Sequence, residues 1–274
     1  MTATDAAPDA AAEPSPSRDA VLAGEGISVR FGGVTAVNDV SIAARAGEVL
    51  GLIGPNGAGK TTLFDALSGI RPPTEGRVFY EGVDITKTSP TWRSRHGIRR
   101  TFQRQQMFGW LTVEENVLVA LEWRGGGGGL LADLVSSPTR RRRERARRAR
   151  SDEVLELCGL DEVRAQPAGK LPIGRARMVE MARAIVDEPK VLLLDEPTSG
   201  LEEAETVSLG TSMQRVCRER DCAVVLVEHD VGFVMQHCDR IVVLNLGEVI
   251  ASGAPDEIRG DAAVQEAYLG ESKP

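Results

Sequence analysis

The chain has 274 residues, 42% of them hydrophobic, and a formal net charge of −7, enough apolar material for one large core or two small ones. No apolar run approaches the roughly eighteen residues that cross a bilayer, which excludes a membrane-spanning helix. The acidic balance argues against nucleic acid as the principal partner.

Residues 1–20 are dominated by Ala, Asp, Glu, Pro and Ser, and so little apolar surface predicts a disordered tail. The same stretch lacks the basic and apolar regions of a secretory signal, so the protein is expected in the cytosol. Strand-like runs at Ile27-Ser28-Val29-Arg30-Phe31 and Val78-Phe79-Tyr80, bounded by Gly and Asp turn signals, predict an antiparallel layer. Between them the apolar run Val49-Leu50-Gly51-Leu52-Ile53 leads into Gly54-Pro55-Asn56-Gly57-Ala58-Gly59-Lys60-Thr61-Thr62 and then a helix-like stretch.

That nonapeptide names a ligand class. Glycines let backbone N–H groups close around phosphate oxygens, Lys60 supplies a cation for the β and γ phosphates, and the Thr61 hydroxyl is suited to Mg²⁺. The helix start that follows adds a field favourable to anions. The bare pattern arises by chance in about one chain in a hundred of this length, so a mere Gly-rich turn is the weaker reading.

From about residue 105 to 167 the texture changes. Five consecutive glycines at 125–129 are followed by eight arginines in the eleven positions 140–150, then by an amphipathic stretch at 151–160. The glycine run has no feeding strand and no following Lys-Thr, so it reads as a flexible connection. The arginines are either a solvated, self-repelling segment or a patch facing anionic headgroups or an acidic partner. The region 105–185 is expected to be a helical insert in the core.

Beyond it, Val191-Leu192-Leu193-Leu194-Asp195 and Ala223-Val224-Val225-Leu226-Val227 are continuous apolar runs followed by acids, with a helix-like stretch at 202–220 between them. Strands buried on both faces read this way, which predicts a parallel α/β core. At the end of the first, Asp195 is placed to hold Mg²⁺ through water and Glu196 to orient or deprotonate an attacking water. At the end of the second, His229 is placed to reach a γ-phosphate. Cys158, Cys217, Cys222 and Cys238 form no C-x-x-C pair and no metal-type spacing with His96, His229 or His237, so they read as reduced packing thiols.

Taken together these motifs resemble the nucleotide-binding subunits of ATP-binding cassette (ABC) transporters over about residues 24–270. Thr101-Phe102-Gln103 looks like that family's Q-loop, Ser199-Gly200-Leu201-Glu202 like its D-loop and Glu228-His229-Asp230 like its switch histidine. The resemblance implies a P-loop NTPase fold of the ABC type, with a parallel core sheet, an antiparallel β layer and a helical subdomain. It implies ATP and Mg²⁺ as cofactors, Phe31 stacking on adenine, Thr61, Gln103 and Asp195 at the metal, and Glu196, His229 and Gln103 in catalysis.

Within the family the text Phe31-Gly32-Gly33-Val34-Thr35-Ala36-Val37, Leu111-Thr112-Val113-Glu114-Glu115-Asn116-Val117 and Val264-Gln265-Glu266-Ala267-Tyr268-Leu269-Gly270-Glu271 is similar to the subunits that power branched-chain amino acid importers. Relatives of that texture also serve urea, amide and aromatic-acid uptake. One segment departs from the family: where a Leu-Ser-Gly-Gly-Gln signature is expected to face ATP on the opposite subunit, this chain has Leu171-Pro172-Ile173-Gly174-Arg175. Pro172 removes a backbone donor, Ile173 makes a positive φ costly, and Arg175 supplies an offsetting charge.

The resemblance thus implies an importer ATPase held peripherally at the cytoplasmic face of the cell membrane by permease subunits. Its other partners would be a second ABC ATPase subunit, a heterodimer being favoured over a homodimer, and, indirectly, an extracytoplasmic solute-binding protein, with no nucleic acid. The alternatives are an ATP-binding regulatory subunit with weak hydrolysis and a non-transport ABC ATPase. Members of the latter class usually carry two cassettes or a long coiled-coil insertion, and this chain has neither.

Overall fold

A computed structural model describes residues 19–102, 106–121 and 138–269. The parallel core is built on β3 (Val49–Ile53), β7 (Val191–Asp195) and β8 (Ala223–Val227), in which every residue is buried. The sheet runs β10-β9-β3-β8-β7-β6, with β6 (Ile98–Arg100) and β9 (Arg240–Asn245) parallel to their neighbours and β10 (Glu248–Gly253) antiparallel at one edge. The apolar runs are continuous because successive residues serve opposite faces. Leu50 and Leu52 enter one hydrophobic core with Val191, Leu193, Val225 and Val227, while Val49 and Ile53 enter the other with Leu192, Leu194, Val224 and Leu226.

The first core is closed by the antiparallel sheet and by α1 (Lys60–Ser68), whose Leu63, Phe64 and Leu67 are fully buried. Burial of a side chain such as Phe64 contributes about 1.5–3 kcal/mol. The antiparallel sheet has the order β2-β1-β4-β5, from β1 (Ala20–Phe31), β2 (Val34–Arg45), β4 (Glu75–Tyr80) and β5 (Val83–Asp84). The expected strand at 27–31 is therefore only the end of β1. Its first half, poor in β-formers, is held because Ala23 pairs with Ala43 on one side and Phe79 on the other. The tail expected over 1–20 lies outside the described residues as far as 18, and its last residue, Ala20, is already strand.

The short helix α2 (Pro90–Arg95) is started by Ser89, whose hydroxyl accepts from Trp92 N–H. Its Arg93 is fully buried and donates to the carbonyls of Ala66, Leu67, Ile85 and Thr86, so it caps the C-terminal end of α1.

The second core is closed by helices. α3 (Val113–Val119) begins with a capping box between Thr112 and Glu115, and α4 (Pro138–Leu157) and α5 (Ile173–Ile185) are the other α-helices within the stretch 105–185 among the described residues. The glycine run at 125–129 lies outside the described residues, whereas the arginine run is part of α4. α6 (Glu203–Glu219), α7 (Val231–His237), α8 (Pro255–Gly260) and α9 (Ala262–Leu269) follow. Gly51 lets α7 approach the sheet: a Cβ there would stand 2.8 Å from Val234 Cγ1. The four cysteines are free and buried, as expected.

Candidate phosphate-binding site

The nonapeptide after β3 folds into a tight loop because three of its glycines hold conformations barred to side chains: φ is 150° at Gly54, 77° at Gly57 and 101° at Gly59. Space is as restrictive as angle. A Cβ on Gly54 would lie 2.0 Å from the Leu244 carbonyl oxygen, and one on Gly59 would lie 2.4 Å from that of Ala36. The loop is buttressed from the turn between β9 and β10, since Gly247 N–H donates to Ala58 O at 3.0 Å while Gly247 O accepts from Asn38 N–H at 2.8 Å.

Gly59 is the N-cap of α1 and has no side chain to satisfy the helix's first amides, which leaves them for an anion. Lys60 is only 6% exposed, and its Nζ donates to Gly54 O at 2.7 Å and Pro55 O at 2.9 Å. The ammonium thus lies against the loop's own carbonyls. Thr61 is exposed and Thr62 half-buried on the first turn.

Strands β7 and β8 deliver acids to the same edge of the sheet. Asp195 is 4% exposed; its Oδ2 accepts from Arg100 Nη2 at 2.8 Å, while its buried Oδ1 has no hydrogen-bond partner among the described residues. Glu196 follows at φ 46°, a left-handed position for a residue with a side chain, and such strain is concentrated at working sites. Its Oε1 lies 2.8 Å from His229 Nε2. The two loops are tied by Glu228, whose carboxylate accepts from Thr198 N–H at 2.7 Å and His229 N–H at 3.1 Å. Burial pushes the Glu228 pKa up, against the lowering effect of those hydrogen bonds.

Mg²⁺ can be tested against these groups. The buried Asp195 Oδ1, without a hydrogen-bond partner among the described residues, is a hard oxygen ligand, and Thr61 offers a second oxygen. Among the described residues no cluster of three His, Cys, Asp or Glu side chains could hold a metal. A cation here therefore needs water and phosphate oxygens for the rest of its shell, which fits Mg²⁺ arriving with a nucleotide.

Arg100 is the residue that sequence reasoning misses. Besides Asp195 it binds Asp65 Oδ1 at 2.6 Å and Ser68 Oγ at 2.9 Å, and its guanidinium lies 5.3 Å from the Phe64 ring centroid and 5.4 Å from that of Phe102. It locks α1, β7 and the start of the Q-loop-like segment together. The available signal was its place immediately before Thr101-Phe102-Gln103. Gln103 itself lies outside the described residues.

Phe31 is 43% exposed at the end of β1, with the Arg71 guanidinium 4.3 Å from its ring centroid. The segment 171–175 differs from expectation. Pro172 is the N-cap of α5 at φ −55°, so its missing N–H lies outside the helical ladder, and Ile173 is the first helical residue rather than a strained positive-φ one. Gly174 is required by packing: a Cβ there would stand 2.0 Å from Glu205 Cδ, so a carboxylate lies over the first turn of α5. The Arg175 guanidinium, expected to add charge at the loop, is anchored on the Gly159 carbonyl.

Beside the Q-loop-like segment opens a cleft of about 340 Å³ lined by Arg100, Phe102, Phe108, Val119, Glu180 and Arg183. α5 forms one wall through Glu180, which accepts from Gln106 N–H at 2.7 Å, and Arg183, which donates to Gln106 O. Phe102, Val119 and, near them along the chain, Trp110 are exposed, Trp110 by 80%.

Comparison with known proteins agrees with this geometry. Residues 37–199 match the ABC transporter family, and residues 248–273 match a family described as branched-chain amino acid ATP-binding cassette transporter. The chain is 39% identical to the high-affinity branched-chain amino acid transport ATP-binding protein BraF of Pseudomonas aeruginosa, over 92% of this chain and 98% of that protein. It is 38% identical to LivG of Escherichia coli, which has the same description, over the same shares. The lipopolysaccharide export system ATP-binding protein LptB of Haemophilus influenzae is 32% identical, over 92% of this chain and 98% of LptB. Among solved structures, a nucleotide-free ATP-binding cassette from an ABC transporter superposes with a TM-score of 0.76 at 29% identity, covering 90% of this chain and 98% of that one. The ADP conformation of such a cassette gives 0.76 at 29% identity, covering 91% and 98%.

Proposed function

The chain belongs to the ABC transporter family and is an ABC-type ATPase, and from that premise we propose that it powers an importer for branched-chain amino acids or related small polar solutes. The observation that carries the chemistry is the meeting of Glu196 with His229, at 2.8 Å, at the ends of the paired strands β7 and β8, the second of which adjoins the strand that feeds the phosphate loop.

ATP lies with its phosphates over residues 54–62 and its adenine on Phe31. Lys60 leaves the carbonyls of Gly54 and Pro55 for the β and γ phosphates, and the open amides of α1 take the remaining negative charge. Thr61, Gln103 and, through water, Asp195 would hold Mg²⁺, which would supply positive charge to offset that of the phosphates. Glu196 parts from His229 to orient or deprotonate the attacking water, and His229 is freed to donate toward the γ-phosphate. Arg100 fixes one oxygen of Asp195 and so aims the other.

Permease subunits supply the membrane-spanning part, a reading supported by the transport ATP-binding proteins this chain resembles; no helix among the described residues is long and apolar enough to cross a membrane. The cleft beside Phe102 and Phe108, with its exposed apolar rim, is the surface suited to them. This arrangement holds the chain peripherally at the cytoplasmic face of the membrane.

Residues 171–175 face nucleotide on the opposite subunit. The Glu205 carboxylate beside Gly174 makes that face a poor phosphate stabiliser, which favours a heterodimer whose partner brings an intact signature. The same observation favours, as a second reading, a regulatory subunit with weak hydrolysis. Reconstitution with neighbouring-gene permeases and a solute-binding protein tests the proposal: ATP-driven leucine uptake that vanishes with Lys60→Ala is expected, and uptake indifferent to Lys60 contradicts it.

A further inference from the structure

The first half of α4 is at odds with its own electrostatics. Seven arginines and one glutamate occupy positions 141–150, in a chain whose net charge is −7. The run begins at the first turn of the helix, which has no acidic residue to offset cations at the positive end of the dipole. The arginines also repel one another at i,i+3 and i,i+4 spacings such as Arg142 with Arg145 and Arg141 with Arg145.

The structure does not relieve this strain internally. Arg147 donates to the Leu118 carbonyl at 3.2 Å and Arg150 pairs with Glu188 at 3.4 Å, so these two face the body of the protein. Arg148 shares Glu144 at 3.0 Å. The acids that follow, Asp152 and Glu153, are taken by Arg164 at 2.6 Å and Arg220 at 2.7 Å and do not reach the run. Arg141, Arg142, Arg143 and Arg145 are exposed and have no ion pair among the described residues.

Helical spacing sorts the charges. At about 100° per residue, Arg141, Arg142, Arg145 and Arg148 fall within roughly a 120° arc on the side away from Arg147 and Arg150. That arc contains no aromatic or large aliphatic side chain between 141 and 150. It is therefore suited to lying on a charged surface rather than inserting into one, and it lacks the stacking platforms of single-strand nucleic acid binders. The Leu118 carbonyl that receives Arg147 belongs to α3, whose next residue, Val119, lines the cleft.

We propose that the outer arc of α4, formed by Arg141, Arg142, Arg145 and Arg148, is a docking surface for the anionic phospholipid headgroups of a bilayer. The choice of lipid over protein rests on the proposed peripheral attachment of this chain to a membrane transporter, which brings its basic surface near anionic headgroups, and on charge complementarity with four exposed guanidinium groups. Headgroup phosphates supply a dense, deformable array of anions that meets four adjacent guanidinium groups without requiring a folded partner of matching shape.

The test uses the full chain and vesicles of phosphatidylcholine with or without about one-third phosphatidylglycerol. Near an anionic surface each arginine contributes about a fivefold factor in partitioning, so the quadruple variant Arg141→Gln/Arg142→Gln/Arg145→Gln/Arg148→Gln should bind the anionic vesicles at least tenfold more weakly. The matching quadruple Lys variant should stay within a few-fold of wild type, and salt of about 0.5 M should abolish the difference. Unchanged melting temperature and nucleotide affinity in the Gln variant establish that it folds. Equal vesicle binding by wild type and Gln variant, equal binding to neutral vesicles, or preference for duplex DNA at equal phosphate concentration would overturn the proposal. Permease co-purification is measured separately, so loss of that association with vesicle binding intact counts against the cleft and not against the arc.

Discussion

Arg100→Met removes the cation between two carboxylates, and the structure allows its cost to be worked out. The Arg100 side chain is 8% exposed, Asp195 4% and Asp65 25%, with contacts of 2.8 and 2.6 Å. At an effective dielectric near 20, each pair of charges about 4 Å apart gains about 4 kcal/mol, most of which offsets desolvation. Deleting one partner leaves Asp195 buried and uncompensated, a change that costs about 3–5 kcal/mol. For a domain of this size that corresponds to a fall in Tm of roughly 6–20 °C, read by calorimetry. Arg100→Lys should recover only about half, because an ammonium cannot serve both carboxylates in the forked geometry of a guanidinium. A positioning role adds a second readout: half-saturation by Mg²⁺ should rise about tenfold or more in Arg100→Met, while nucleotide affinity in the absence of Mg²⁺ is unchanged. A melting temperature within about 2 °C of wild type, or an unaltered Mg²⁺ requirement, would refute the reasoning.

Gly54→Ala puts a methyl 2.0 Å from a backbone oxygen at a φ of 150°, so it should abolish binding of a fluorescent ATP analogue; retained affinity would mean the loop has another conformation. Burial pushes the thiols of Cys158 and Cys222 up to about 12 and that of Cys217 up to about 11, from 9.0. These groups hold their protons longer folded than unfolded, so the stability they contribute is whole below pH 9.0 and is lost as pH rises toward the folded values. Urea unfolding should show a steeper alkaline loss for wild type than for Cys217→Ala, and parallel curves would contradict the assignment.

The sequence discloses most where chemistry is contiguous in the chain. The phosphate loop needs its glycines at fixed offsets, so Gly54, Gly57 and Gly59 are legible without a structure, and strands buried on both faces announce themselves at 191–195 and 223–227. Features that depend on distant partners are hidden. The first half of β1 lacks β-formers and is strand because it is flanked by β2 and β4. Arg100 looks like a surface charge until Asp65, 35 positions away, and Asp195, 95 positions away, are seen around it. At Pro172 and Ile173 the composition suggested backbone strain, whereas the observed start of α5 accommodates both, and the unusual element there is Glu205, brought in by α6.

ATP turnover by the assembled transporter, with the catalytic glutamate changed to Gln in each ATPase subunit separately, tests the central claim most directly. Glu196→Gln should leave nucleotide affinity intact and slow hydrolysis by about two or more orders of magnitude, because on the proposed assignment it removes the group that orients or deprotonates water and leaves Lys60 and the proposed Mg²⁺ ligands in place. The equivalent change in the partner should cost much less if, as proposed, its site is completed by residues 171–175 of this chain. Wild-type turnover by Glu196→Gln would contradict the assignment of Glu196, and equal losses from the two subunits would contradict the unequal pair.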